Sequence, residues 1–273
     1  MSGVLEQLAF YPSLYIPIFG IVGLMIGSFL NVVIYRLPKM LEAEWRAAAR
    51  EYLAMDEETP ERFNLAVPCS ACPSCKRSIR PWENIPVLSY VALRGKCGGC
   101  SMRISVRYPL VELLGAGAGL LAGWQFGLSL EALAMASVFW TLIALALIDH
   151  DTMMLPDSLC LPLLWAGLVF VAIVAPDQLA AHVIGAATGY LAFRVLPIGE
   201  GDAKLAAACG AWLGWAALPF FVSVGAGISC LMWVLLYFRN KASRQYPFGP
   251  ALAVAFVLAV FYGKPYAHYL GLI

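Results

Sequence analysis

The stretch Ala132-Leu-Ala-Met-Ala-Ser-Val-Phe-Trp-Thr-Leu-Ile-Ala-Leu-Ala-Leu-Ile148 carries no charge and runs directly into Asp149-His150-Asp151. A helix crossing the hydrocarbon core of a bilayer needs about 20 mainly apolar residues, and this run reads as such a crossing that ends on acids. Outward from it the same pattern recurs at Ile16–Tyr35, Leu113–Leu130, Ser158–Pro176 and Gln178–Phe193. Leu205 to Phe238 is uncharged over a length too great for one helix, and Gly214-Trp-Ala-Ala-Leu-Pro219 divides it in two. A last run covers Phe248–Tyr262. The sequence therefore predicts an all-α polytopic membrane protein of about eight transmembrane helices.

Composition leads to the same class. Of 273 residues, 61% are hydrophobic and 13% charged, with a mean hydropathy of +0.77. A soluble chain needs about a quarter of its residues charged to cover its surface, so lipid has to cover the rest. The net charge of +1 hides a steep division. Arg36 to Arg107 holds 12 of the 18 Lys and Arg and 8 of the 17 acids. The expected organisation is an N-terminal transmembrane helix over 1–37, a polar insert over 38–107, and a membrane domain over 108–273. The first 35 residues carry no Lys or Arg and lack a signal-peptide pattern, so the first apolar run is expected to be a retained helix. Positive residues mark the cytoplasmic side. The insert, Arg194, Lys204, Arg239, Lys241 and Arg244 fall on one side and Lys264 on the other, which predicts a cytoplasmic insert and outward termini. Nothing points to nucleic acid as a partner.

The insert holds Cys69, Cys72, Cys75, Cys97 and Cys100. Cys72-Pro-Ser-Cys75 and Cys97-Gly-Gly-Cys100 are two knuckles at zinc-ribbon spacing. Four thiolates saturate tetrahedral zinc and leave no position for water, so the site would be structural and would offset the ordering entropy of the insert. The alternative is a pair of disulfides, which a cytoplasmic location disfavours. Cys69 offers a second pairing with Cys72. Cys160, Cys209 and Cys230 lie in apolar runs and read as packing residues.

Ionisable groups at membrane depth are functional candidates. Asp149 closes the third helix and Asp202 opens the sixth, within Gly199-Glu-Gly201-Asp202. The alternating topology brings both to the same cytoplasmic depth. Two close carboxyl groups share one proton, and such a pair lets one member activate water while the other protonates a scissile carbonyl. Glycines at 199 and 201 would let an extended peptide approach the backbone. Bland alternatives exist: Asp157 as a cap of the fourth helix, Asp151 as a solvated acid beside His150, and Asp202 as an N-cap.

Taken together these residues resemble the type IV prepilin peptidase family. The resemblance runs through Gly27-Ser-Phe-Leu-Asn31-Val-Val-Ile-Tyr-Arg36-Leu-Pro38, the tetracysteine insert with Glu83-Asn-Ile-Pro86, and Arg107-Tyr-Pro-Leu-Val-Glu112. It continues through Asp149-His-Asp and Gly199-Glu-Gly-Asp202-Ala-Lys204. It implies a GxGD-type intramembrane aspartyl protease of the bacterial inner membrane, a bifunctional enzyme. Prepilins and pseudopilins would lose their leader at the cytoplasmic face, and S-adenosylmethionine would then methylate the new N-terminus. By motif match Asp149 and Asp202 would be catalytic, and Gly199 and Gly201 would form the active-site loop. Cys72, Cys75, Cys97 and Cys100 would bind structural Zn²⁺, and Gly95 would be tied to methyl transfer. Two departures stand out: Cys69 replaces a common basic residue, and the connection before Gly199 is short. Other readings of the same residues are a peptidase without methyltransferase activity and a transporter using paired intramembrane aspartates.

Overall fold

With no water to satisfy them, backbone polar groups in lipid have to pair within their own segment, and each long uncharged run is helical. The structure, a computed structural model, describes residues 11–55, 62–195, 199–238 and 246–272. Its helices are α1 (Pro12–Tyr52), α2 (Leu88–Ala92), α3 (Arg107–Phe126), α4 (Leu130–Thr152), α5 (Asp157–Val174), α6 (Leu179–Val195), α7 (Glu200–Leu213), α8 (Leu218–Phe238) and α9 (Gly249–Tyr269). Arg239, Lys241 and Arg244, and the connection just before Gly199, lie outside the described residues.

All eight apolar runs coincide with helices, α1 and α3 to α9. Among the described residues, five are long and apolar enough to cross a membrane: Pro12–Tyr52, Leu130–Thr152, Asp157–Val174, Trp215–Phe238 and Gly249–Tyr269. Helix α7 has only 14 residues, a rise of about 21 Å against a hydrocarbon core of about 30 Å. Helix α1 runs past its apolar segment and past Pro38 to Tyr52. Strong helix formers such as Met40, Leu41, Glu42, Ala43 and Glu44 carry it on beyond the proline.

The chain divides into two compact units, residues 1–140 and 141–273. In the first, α1 packs along α3 through small residues. A Cβ on Gly27 would lie 2.7 Å from the Glu112 Cα, and Gly23 and Gly115 each face the other's backbone. Backbones approach this closely only where side chains are absent, as in other lipid-embedded helix pairs. Asn31 Nδ2 donates to the Tyr108 carbonyl at 3.1 Å. The buried Arg36 donates to the carbonyls of Asn64 and Pro68 at 2.8 and 2.6 Å. The polar end of the Gly27–Pro38 segment thus anchors both α3 and the start of the insert.

In the second unit, α7 is buried nearly all round: Ala203 and Leu205 to Trp212 are all inside. It packs against α5, α6 and α9. Gly185 on α6 meets Gly210 of α7 backbone to backbone, and Trp212 Nε1 donates to the Leu163 carbonyl of α5 at 2.9 Å. A helix apolar on every face belongs in a core. Alanine and glycine let its neighbours close on it. Cys160 and Cys209 are buried packing residues, whereas Cys230 is exposed on α8.

Candidate metal centre and active site

The two cysteine knuckles fold alike. The N–H of Cys72 donates to the Arg77 carbonyl and that of Lys76 to the Cys72 carbonyl; Cys97 and Ser101 repeat both bonds with Met102 and Cys97. Lys76 and Ser101 take the left-handed backbone at φ 58° and 59°, closing each turn after its second cysteine. The Sγ atoms of Cys72, Cys75, Cys97 and Cys100 lie within 4.8 Å of one another, and those of Cys72 and Cys100 are 3.8 Å apart. A tetrahedron with Zn–S of about 2.3 Å has S···S edges of about 3.8 Å, so this donor set fits zinc. Backbone N–H groups of Cys100 and Gly99 pull the Cys97 thiol down to about 6. Against the Arg77 N–H, desolvation and the neighbouring thiols push Cys75 up to about 11, so the thiolate in this cluster forms first at Cys97. Cys69 is exposed and outside this cluster.

Arg77 ties the knuckles together. Its Nη2 donates to both oxygens of Glu83 at 2.7 and 2.9 Å. The Arg77 guanidinium, then the Arg80 N–H, hold the Glu83 carboxyl below the usual range. The pair lies over Gly98 and Gly99, where a Cβ would come within 2.9 Å of Glu83 Oε1 and 3.0 Å of Arg77 Nε. The glycines between Cys97 and Cys100 therefore make room for an ion pair as well as a tight turn. Gly95 has φ 66°, and a Cβ there would also lie 2.8 Å from the Tyr90 hydroxyl, so both torsion and space require glycine.

In the second unit, Asp149 sits one turn from the end of α4 and is 5% exposed. Its Oδ2 accepts the Gly249 N–H at 2.7 Å. Gly249 is the first residue of α9, where backbone N–H groups lack helical partners and the dipole favours an anion. A Cβ on Gly249 would fall 2.8 Å from Asp149 Oδ2. Asp202 lies in the first turn of α7, where Gly199 is the N-cap. Asp202 Oδ1 is buried without a hydrogen-bond partner, and Oδ2 faces Gly199. The two carboxyl groups are near enough for the charge of Asp149 to act on Asp202.

Neither Asp202 nor Asp157 is the N-cap of its helix; Gly199 and Pro156 hold those positions. Asp157 instead accepts Lys204 Nζ at 2.9 and 3.0 Å, and Lys204 also reaches Glu200 at 3.1 Å. Gly199 is extended, with φ −60° and ψ 145°, and Gly201 is already helical. Gly201 is small because a Cβ would meet the Leu155 Cβ at 2.9 Å. Sequence reasoning missed Gly249. Its signal was Phe248-Gly249-Pro250, a glycine and proline opening a helix, but nothing in the spacing linked it to an aspartate 100 residues away.

Residues 21–126 match the bacterial peptidase A24 N-terminal domain, and residues 136–263 match the type IV leader peptidase family. The chain is 45% identical over 269 residues to a prepilin leader peptidase/N-methyltransferase of Pseudomonas putida, covering 94% of this chain and 93% of the relative. A protein of that name from Aeromonas salmonicida is 45% identical over 279 residues, with 96% of each covered. Another from Pseudomonas aeruginosa is 43% identical over 274 residues, with 95% and 94% covered. No solved structure matches the chain. Two family models that between them take in both units, and likeness along nearly the whole length of these relatives, establish that the chain belongs to the type IV leader peptidase family.

Proposed function

We propose that this protein removes the leader from type IV prepilins and type II secretion pseudopilins, with Asp149 and Asp202 as a GxGD-type aspartate dyad. It then methylates the new N-terminus with S-adenosylmethionine. The observation that carries the reading is a buried Asp149 and a half-buried Asp202, the latter in the first turn of a core helix and within reach of the charge of Asp149. Asp149 is fixed by the Gly249 N–H, and Asp202 has an oxygen with no partner.

Such a pair shares one proton. One carboxylate takes a proton from water as that water attacks the scissile carbonyl, and the other donates a proton to the carbonyl oxygen. No covalent intermediate forms. Gly199 and Gly201 shape the backbone beside Asp202, and the Lys204–Asp157 pair orients the turn above it. Lipid-embedded helices suit a substrate whose cleavage point borders an apolar stalk.

The domains are then residues 1–37, 38–107 and 108–273, with the insert and the cut on the cytoplasmic side of the bacterial inner membrane. Eight crossings would place Asp149 and Asp202 at one depth. Zinc held by the four cysteines would staple the insert and take no part in the cut. S-adenosylmethionine would supply an electrophilic methyl carbon to the pilin amine nitrogen, its sulfur leaving with the electron pair and the amine proton passing to water. Gly95 belongs with this second activity.

Mass analysis of prepilin incubated with the purified protein, with and without S-adenosylmethionine, tests both steps. Loss of the leader alone without the donor, and a further 14 Da (roughly one CH₂) with it, is the expected result. Intact prepilin in both reactions refutes the peptidase reading, and a cleaved but unmodified product refutes methyl transfer.

A further inference from the structure

The first unit contains a cavity of about 540 Å³ bounded by the inner end of α1, the start of α3 and the cysteine insert. This is within the range of about 300–1,000 Å³ typical of small-ligand sites. Asn31, Tyr35, Tyr90, Tyr108 and Glu112 line it, so it offers aromatic surface for a heterocycle and polar groups for a ribose or amino acid. Of the charged residues on its wall, Arg77 and Glu83 pair with each other and Arg103 is exposed, which leaves Glu112 as the buried acid. It is 9% exposed, it accepts the Val87 N–H at 2.7 Å, and it has no ion pair among the described residues. A buried carboxylate without a counter-charge is costly, and a cationic ligand in the cavity would relieve that cost. The other buried charge on the wall, Arg36, is already committed to the Asn64 and Pro68 carbonyls. The wall joins apolar helix to polar insert, the height at which an N-terminus leaving a lipid-embedded stalk would emerge.

We propose that this cavity holds the methyl donor, an adenosyl sulfonium amino acid, with Glu112 facing its positive charge. The proposal rests on the methyl-transfer reading above and adds its location, in a different unit from Asp149 and Asp202. Leader cleavage and methylation then occupy separate sites, and the trimmed pilin moves from one to the other.

Titration calorimetry on the full-length, zinc-loaded protein in nanodiscs tests this with S-adenosylmethionine and the uncharged-sulfur analogue S-adenosylhomocysteine. Glu112→Gln keeps an acceptor for the Val87 N–H and removes only the charge. It should weaken S-adenosylmethionine by about tenfold, the order expected of a partly desolvated charge pair, and change S-adenosylhomocysteine by less than about twofold. Val32→Trp, which fills the cavity, should weaken both. Glu131→Gln, outside the cavity, serves as control, and zinc content reports that each insert is folded. Wild-type affinity for both ligands in both cavity variants overturns the proposal, and equal weakening of the two by Glu112→Gln removes the charge role of Glu112. If wild type binds neither ligand and cleaved pilin stays unmethylated, the methyl-transfer reading fails and this site fails with it.

Discussion

Between residues 62 and 106 only Cys72 and Gly95 are buried, whereas nine of the fourteen residues of α7 are. The insert has almost no apolar interior, and its order rests on two hairpin knuckles, four converging thiols and the Arg77–Glu83 pair. Helix α7 has the reverse: alanines and glycines packed against neighbouring backbones, with polar chemistry confined to its first turn. The difference shows where each kind of cohesion works. Solvated chain with few large side chains would gain stability from a metal held by its four thiols. A lipid-embedded site gains position from close packing, because lipid supplies little hydrophobic drive between helices.

That contrast can be broken first at the aspartates. Asp149→Asn or Asp202→Asn should each lower prepilin cleavage by about 10²–10⁴-fold, the usual worth of an acid or base, with the protein still folded in the membrane. Gel analysis of prepilin processing checks this, and cleavage near the wild-type rate would remove the dyad. Next comes the metal. Cys97→Ser should abolish zinc retention and open residues 62–106 to limited proteolysis, while hydrogen exchange in α7 stays slow. Exchange that rises equally in both regions would show that the insert and α7 do not hold themselves independently.

A smaller change separates the two kinds of packing. Gly249→Val puts methyl groups against Asp149 Oδ2 and should slow cleavage by about 10–100-fold, as displacements near 1 Å do in active sites; the zinc content should be unchanged. Gly95→Ala imposes a left-handed torsion on a residue with a Cβ and crowds Tyr90. This local strain of about 1–3 kcal/mol should reduce methylation more than cleavage, as read by the mass of the processed pilin. Lys204→Met is expected to have the least effect. Its pair with Asp157 is half exposed, with side chains 23% and 55% accessible, and such pairs contribute less than about 1 kcal/mol. A large fall in thermal stability would give this pair a greater part in holding α7 than its exposure allows.

Much of this was legible in the chain because it depends on local spacing. Apolar run length located the helices, and Cys-x-x-Cys spacing located the four thiols that converge. Alternation of side across the membrane brought Asp149 and Asp202 into one argument. The contacts that give these residues their settings were not legible. Arg36 binding the Asn64 and Pro68 carbonyls, Gly201 yielding to Leu155, and Asp157 turning to Lys204 instead of capping its helix all depend on partners from other elements. Helix α1 outran its apolar segment because propensity, not lipid, extends it to Tyr52.

By itself the sequence determined the class of solvent around the chain, the positions of its helices and the candidate side chains for its chemistry. These follow from hydropathy and periodicity over a few turns. Tertiary structure alone decided that α7 is a 14-residue helix buried in the core, that Gly249 supplies the N–H for Asp149, and that Glu112 faces a cavity with no ion pair among the described residues. Each of these depends on which backbone comes close to which, and that proximity is set by small residues on two different helices at once.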